Sequence, residues 1–517
     1  MACAILLTGC TKKFEEINTN NTVYTQANFD PNYLLTSAQL TYTGSTDFAY
    51  ETWRGNLIYS SVMMQGFATT LSYWAGDKYT LNAAYATAYW QVAYPEQVKP
   101  IVDMVQFTKD NPKYKNLYQV GRIMRALIME RITDLYGDVP YFSAGLGYYT
   151  SEFFPKYDKQ QDIYMDLLKE VEEASNLLDA AGDKPSGDVF YNGNIDQWKR
   201  FGNSLLLRIA MRLTKVDPAT AQAYVTKVQG KTMTANTDNA LVKADATGSR
   251  TTQNRNSQIL LGDGGQEFYY VKWSKTFIDM LKVTNDPRLS KVAVTQLYLT
   301  PTSTVQNANY NSTAAGQKGM PNGKDLTVIA GRGISTDPTY TSFPDYSSPN
   351  PYMIKRDGVT FILTYAESEF LLADAAQRWG TGGTASAAVH YNNGVKAAIT
   401  SLSQYDAAIA ITDATADTYL AANPYVASNG LQMINNQFWI LCNTSLNFYE
   451  SWCNWRRTDY PALTPVVFPN NVTNGTIPRR FPYPVAEAST NPANYTVAHN
   501  AVSGGDLLTG RVWWDKQ

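Results

Sequence analysis

The segment "LYQVGRIMRALIMERITDLYGD" sets Leu117, Val120, Ile123, Met124, Leu127, Ile128, Ile132 and Leu135 at steps of three and four residues, with Gly137 following as a stop. That spacing specifies an amphipathic helix of about five turns, whose apolar stripe must be covered by another element. The next segment, "DKQQDIYMDLLKEVEEASNLLDAAG" from Asp158, repeats the pattern with Ile163, Leu167, Leu168, Val171, Leu177 and Leu178, closed by Gly182. The two are expected to form an antiparallel hairpin. "DQWKRFGNSLLLRIAMRLTKVD" and "DPATAQAYVTKVQG" add a third and a fourth helix, the fourth with Asp217 as N-cap and Pro218 in the first turn, where Pro is tolerated. "VTFILTYAESEFLLADAAQRWG" and "ASAAVHYNNGVKAAITSL" form a further helix, Gly-rich turn, helix unit, and "GLQMINNQFWILCNTSLNFYESWCNWRRTDYP" a last helical block. The chain is therefore expected to be mostly α, built from helix hairpins of tetratricopeptide type, although no 34-residue sequence period accompanies them.

Between these blocks, residues 240–350 are rich in Asn, Gly, Ser, Thr, Pro and Asp, which predicts long loops with a short strand pair. The formal net charge of -2 over 517 residues gives no basic face for nucleic acid. Beyond residue 9 no stretch reaches the roughly 18 to 20 apolar residues of a membrane span. Cys442 and Cys453, if on one straight helix, would stand about 16 Å apart along its axis, too far for a disulfide, and are expected to pack in the core.

The catalytic motifs of common enzyme classes are missing: there is no G-x-S-x-G elbow, no H-E-x-x-H and no phosphate loop, and "GDGG" at 262–265 is turn chemistry. The only histidines are His390, inside a helical pattern, and His499, in a polar tail. Glu367, Glu369 and Asp374 share a helix, with spacing that suits solvation or pairing with Arg378; no two facing carboxylates stand out for a glycoside hydrolase. No Cys/His spacing resembles a zinc site and no D-x-[DN]-x-[DN]-G loop occurs. No cofactor is expected, and a structural calcium would have to be held by scattered loop oxygens.

The chain carries 36 Tyr against 19 Phe, a bias toward surfaces where a ring packs while its hydroxyl stays wet. In "FATTLSYWAGDKYTLNAAYATAYW", Tyr73, Trp74 and Tyr79 flank a turn and lack a helical partner pattern, so they are expected to be exposed, with Asp77 and Lys78 as polar neighbours. Such rings suit the apolar face of a sugar; the alternative is an aromatic plug under a loop. Trp90 and Tyr94, on one helical face, read as core. A second cluster, "GGQEFYYVKWSKTFIDML", supplies Tyr269 and Trp273 as further ligand candidates, while a strand or helix start there would bury Phe268 or Tyr270.

Taken in order, "ERITDLYGDVPYFSA", "PKYDKQQDIYMDLLKEVEEA", "DQWKRFGNSLLLRIAMRL", "LTYAESEFLLADAAQRWG", "ESWCNWRRTDYPAL" and "IPRRFPYPVAEASTNPANY" resemble the signature segments of the SusD/RagB-like outer-membrane lipoproteins, in particular the SusD-like family 2 branch. The resemblance runs from Cys10 to about residue 500. It implies a single domain from residue 10 to 517, with a tetratricopeptide-like scaffold over about 30–235 and 360–460 and a loop-rich insert over about 236–359 packed on one side. It also implies a lipid-anchored protein at the outer-membrane surface that captures an oligosaccharide and passes it to a SusC-like TonB-dependent transporter, without being an enzyme; some members take oligopeptides instead. In that family ligand contacts often come from aromatic loops preceding a W-x-x-x-Y helix, which "YWQVAYPEQ" resembles. Asp134, Gly137, Asp138, Pro140, Arg456 and Arg457 match signature positions and are expected to be structural.

"ILLTGC" fits the lipobox pattern of an apolar residue, two small residues and the modified cysteine, here Cys10. Only nine residues precede it and none is basic, so residues 1–9 are expected to be the remnant of a longer export signal, with Cys10 as the lipidated first residue of the mature protein.

Overall fold

The computed structural model describes residues 29–45, 50–248, 250–380 and 385–516. Cys10, the expected lipid-attachment residue, lies outside them. Helices dominate: α1 (Asn32–Tyr42), α2 (Lys99–Thr108), α3 (Lys115–Tyr136), α4 (Gln160–Leu177), α5 (Ile195–Arg212), α6 (Pro218–Val228), α7 (Lys275–Val283), α8 (Tyr365–Trp379), α9 (Ala387–Thr400), α10 (Gly430–Thr444) and α11 (Phe448–Thr458). All eight apolar positions read on α3 are 0% exposed, so the stripe seen in the sequence is the buried face. α3 packs on α4 and α4 on α5, as the hairpin reading requires, and α5 continues onto α6. The Asp217 side chain accepts from Thr220 N at 3.0 Å, and Pro218 stands in the first turn of α6. The second scaffold block repeats the arrangement: α8 packs on α9 and α10, and also on α5 of the first block.

Three helical readings needed correction: α4 stops at Leu177, itself exposed, rather than running to Gly182. The helix through "YWQVAYPEQVKPIVDMVQ" is not uniform. Between Ala88–Ala93 and α2, residues Tyr94–Val98 adopt the wider π-helical turn. Pro95 has no N–H and its ring would crowd the carbonyl four residues back, and the wider turn relieves that crowding. The last block is two helices rather than one: Leu446 takes φ +56°, and the Asn447 side chain accepts from Glu450 N to start α11. Cys442 and Cys453, on α10 and α11, are both buried and free.

Strands are short and antiparallel. β1 (Phe67–Thr69) pairs with β3 (Val271–Trp273), β2 (Ala240–Lys243) with β6 (Val359–Leu363), and β4 (Ala293–Val294) with β5 (Ser348–Pro349). The first ladder sews the loop-rich segment to the scaffold. Beside it lies a second apolar core, made of Phe268, Tyr269, Val294, Leu297, Tyr298, Met320, Ile334, Phe343 and Tyr346 with Ala68 from the scaffold.

The two scaffold blocks meet around buried ions. Arg208 on α5 binds Glu130 of α3 at 2.5 Å and Glu367 of α8 at 3.4 Å. One turn later Arg212 binds Asp134 of α3 at 3.2 Å and Glu450 of α11 at 2.6 Å. Asp134 also accepts from Trp514 Nε1 at 2.9 Å and from the Tyr164 hydroxyl. Burial, reinforced by Glu450 and Glu130, raises the Glu367 carboxyl to about 8 against the pull of Arg208. A second knot holds Asp374, 3.1 Å from Arg457 and 2.5 Å from Arg378. Burial alone would raise the Asp374 carboxyl, but the two guanidiniums outweigh it and hold it at about 2. The pairing of Asp374 with Arg378 follows the sequence, whereas solvation does not: Glu367, Glu369 and Asp374 are all buried.

Removing one partner from such a knot strands the others in a dry interior. Arg212→Met is expected to lower the unfolding free energy by about 3–5 kcal/mol in urea titration, because Asp134 and Glu450 lose their counter-charge.

Candidate ligand-binding surface

The turn at residues 73–79 lies where the sequence places it, but most of its aromatic side chains face inward. Trp74 and Asp77 are 0% exposed and Tyr79 only 1%, so these three are not the exposed platform expected of them. The cause is chain returning from far away. Asp77 pairs with Lys78 at 3.0 Å and accepts from Gly323 N at 3.1 Å and Asn322 Nδ2 at 3.3 Å. Tyr79 sits at φ +51°, and its hydroxyl accepts from Val466 N at 3.1 Å. A Cβ on Gly76 would stand 2.5 Å from the Tyr59 carbonyl, so only glycine lets this turn press against the preceding helix. Asp77 and Lys78 are thus a clamp between scaffold and insert.

The second cluster is also core. Trp273, on β3, is 0% exposed, with its ring 4.5 Å from both Phe67 and Phe277 and its Nε1 donating to Val292 O at 2.9 Å. Tyr269 is buried and stacks on Phe343 at 5.1 Å. Phe268 is buried, while Tyr270 is half-buried. Trp90 is buried, as its reading as core requires, and packs at 4.9 Å against Tyr94, which is half-buried at the edge of the core.

Tyr73 alone among the six candidates remains at the surface, half-buried, and it belongs to a group the sequence reading missed. Residues Thr52–Ser61 form a π-helix whose first turn presents Trp53 and Arg54. The Tyr73 and Trp53 rings meet edge to face at 6.4 Å, and one carboxylate, Glu267, accepts from Trp53 Nε1 at 3.1 Å and from the Tyr73 hydroxyl. Burial, and then the hydrogen bond and charge of Glu267, push the Tyr73 phenol well above its ordinary range, so it stays a donor. The Arg54 guanidinium lies 3.7 Å from the Tyr50 ring centre and 5.1 Å from those of Trp53 and Tyr85. Tyr50, Trp53, Arg54, Tyr73 and Tyr85 are all half-buried.

The "GDGG" turn completes the patch. A Cβ on Gly264 would lie 2.9 Å from the Trp53 indole, so glycine allows the loop backbone to rest on the ring. Two rings fixed by hydrogen bonds to one carboxylate, beside a planar cation, form a preorganised aromatic surface. It suits a ligand with alternating apolar faces and hydroxyl edges. The sequence signal was the pair Trp53–Arg54 in "ETWRGN"; the π-turn disturbs the 3.6-residue spacing that would have marked which residues face out.

Among the described residues no group of three His, Cys, Asp or Glu side chains could hold a metal ion, and no helix is long and apolar enough to cross a membrane. The two histidines each meet one carboxylate: His390 lies 2.9 Å from Glu369, and His499 lies 3.0 Å from Asp506. The signature residues serve the fold. Asp138 accepts from Gln160 N at 2.8 Å at the start of α4, and Arg456 lies 4.3 Å over the Trp452 ring.

A family profile described as starch-binding associating with outer membrane, SusD-like 2, matches residues 23–484. The chain belongs to the SusD-like family. Among solved structures, this SusD-like chain is similar to a chitin-binding protein, at 33% identity and TM-score 0.81 over 94% of this chain and 100% of that one. A SusD-like protein of Bacteroidetes AC2a matches at 26% identity and TM-score 0.81 over 95% and 100% of the two chains. A chitin-binding SusD homologue from Flavobacterium johnsoniae, at 21% identity and TM-score 0.73 over 94% and 98%, shares the fold. No curated protein matches the sequence.

In this SusD-like protein Lys272, on β3, is buried with its Nζ 2.8 Å from Ser348 Oγ and near the faces of Tyr269 and Phe343. Burial lowers its amine to about 7. The folded value lies below the ordinary lysine range, so between about pH 7 and pH 10 the unfolded chain holds a proton that the folded chain does not. Stability from this residue therefore rises with pH across that window. Urea unfolding is expected to find Lys272→Met more stable than wild type by a few kcal/mol at pH 7, on the order set by that shift, with the gap closing toward pH 10.

Proposed function

We propose that this protein is a nutrient-binding component of the cell surface that captures an oligosaccharide on the Trp53–Tyr73–Tyr85 patch, and that chitin-type chains of N-acetylglucosamine are its ligand class. The observation that carries the reading is the patch itself: three half-buried rings, an arginine stacked on two of them and a carboxylate that orients Trp53 and Tyr73. The identity of the sugar rests on the chitin-binding relative that is 33% identical over nearly the whole chain. Capture rather than turnover fits the carboxylates. Those placed by sequence on α8 are tied to arginines or to His390, and Glu267 is engaged by Trp53 and Tyr73.

The family description places such proteins in association with the outer membrane. In our reading a lipid on Cys10 holds the protein there, and a SusC-like TonB-dependent transporter receives the captured chain.

Calorimetric titration with chitin hexamer is expected to show binding without release of shorter products. Trp53→Ala should weaken it at least about tenfold, the equivalent of about 1.4 kcal/mol, with circular dichroism unchanged. Trp74→Ala, by contrast, should cost about 3–5 kcal/mol of stability and serves as the fold control. Undiminished affinity in Trp53→Ala would remove the patch from the reading. Binding of oligopeptides in place of any sugar would favour peptide capture, and product release abolished by one carboxylate substitution would favour a hydrolase. For the anchor, Cys10→Ser is expected to move the protein from the membrane fraction to the soluble fraction in cell fractionation.

A further inference from the structure

Adjoining the "GDGG" turn through Leu261 and Arg356 lies a cavity of about 440 Å³ that belongs to no element of the scaffold. Its volume falls in the ordinary range for small-ligand sites, about 300–1,000 Å³. Tyr310 and Tyr352 line it with partly exposed rings, Leu261, Pro351 and Ile354 give it an apolar wall, and the Gln306 amide stands at its edge. Gln306 is exposed and spends one N–H on the Tyr298 hydroxyl at 3.1 Å.

The path from the patch to this cavity is short and stiff. Gly264 rests on the Trp53 indole; its neighbour Asp263 binds Arg356 through two hydrogen bonds, of 2.6 and 2.7 Å; and Arg356 lines the cavity. Gly262 N and Asp263 N are bonded back to Ile259 O and Gln258 O, so the turn is a fixed ridge rather than a loose flap. The cavity's charges are already spent. Besides Asp263, Arg356 meets Gln253 at 2.8 Å, and Lys355 meets Asp406 at 3.2 Å and Asp357 at 3.7 Å. With both cations paired to carboxylates, nothing there is free to attract an acidic sugar, whereas two phenol rings and an amide suit an uncharged one.

We infer that this cavity is a second saccharide subsite, and that the protein selects a neutral chain long enough to lie on the Trp53 patch, cross the 262–265 ridge and seat a further unit between Tyr310 and Tyr352. This rests on the sugar-binding reading of the patch and adds a length requirement that the patch alone does not impose. Two linked contacts on one ligand raise affinity because the second forms at high effective concentration.

The test is a titration of wild type, Trp53→Ala and the double variant Tyr310→Ala/Tyr352→Ala with chitin trimer, chitin hexamer and an acidic hexamer of uronates. Wild type is expected to bind the hexamer at least about tenfold more tightly than the trimer, and the uronate hexamer no more tightly than the trimer. In the double variant the trimer affinity should stay within about twofold of wild type while the gain for the hexamer disappears. A gain that survives in the double variant, or no gain in wild type, overturns the subsite and leaves the patch standing. Loss of all binding in Trp53→Ala together with the expected double-variant pattern supports both sites, and absence of any chitin binding in wild type overturns both together.

Discussion

Water is excluded from a space shared by Arg208, Arg212, Glu130, Asp134, Glu367 and Glu450, and the scaffold depends on that arrangement. Ions moved from water into such an interior are costly unless each finds its partner at contact distance. The partners come from α3, α5, α8 and α11, so the geometry is met only when the two helical blocks, separated by more than a hundred residues of loop-rich chain, are docked in one relative position. Apolar stripes make helices adhere in many registers, whereas a buried guanidinium 2.6 Å from its carboxylate tolerates few. The raised carboxyl of Glu367 belongs to the same balance. A raised carboxyl there limits the negative charge placed beside two guanidiniums, and the Asp374–Arg457 knot ties α8 to α11 within the second block.

Periodicity revealed the helices because a helix carries its own repeat and each residue's environment follows from its neighbours three and four places away. α3 was legible to the residue: every apolar position read from its spacing is fully buried. The turn at 73–79 was not, since what covers it arrives from residues 322–323 and 466, and no local pattern announces that cover. Trp74 and Tyr79 lack a helical partner pattern because they are packed by distant loops rather than because they face solvent. Trp273 has the same history, enclosed by Phe67 across the β1–β3 ladder and by Phe277 one turn into α7. Trp53 escaped for the opposite reason: its helix is wound with about five rather than four residues between bonded groups, so the stripe that would separate inward from outward residues is smeared.

The wider winding also explains why the patch stands where it does. A π-helix costs hydrogen-bond quality and persists where surrounding packing enforces it. Here the enforcement comes from α11, whose Tyr449 hydroxyl donates to Glu51 O, and from Asn56, which accepts from Phe448 N and donates to Leu446 O. The rings at the surface are therefore set by packing against α11, and the proposed patch stands on a base that does not need to move.

The carboxylate that orients Trp53 lies 214 residues further along the chain. During synthesis the indole and Arg54 emerge long before Glu267, the glycine ridge or the β3 strand exist, and for that interval the first half of the surface has rings without the partners that fix them. The surface is thus a late product of biogenesis, absent from any partial chain. A nascent molecule would carry these aromatic residues unshielded, and they are the ones for which protection by a holding factor would matter most.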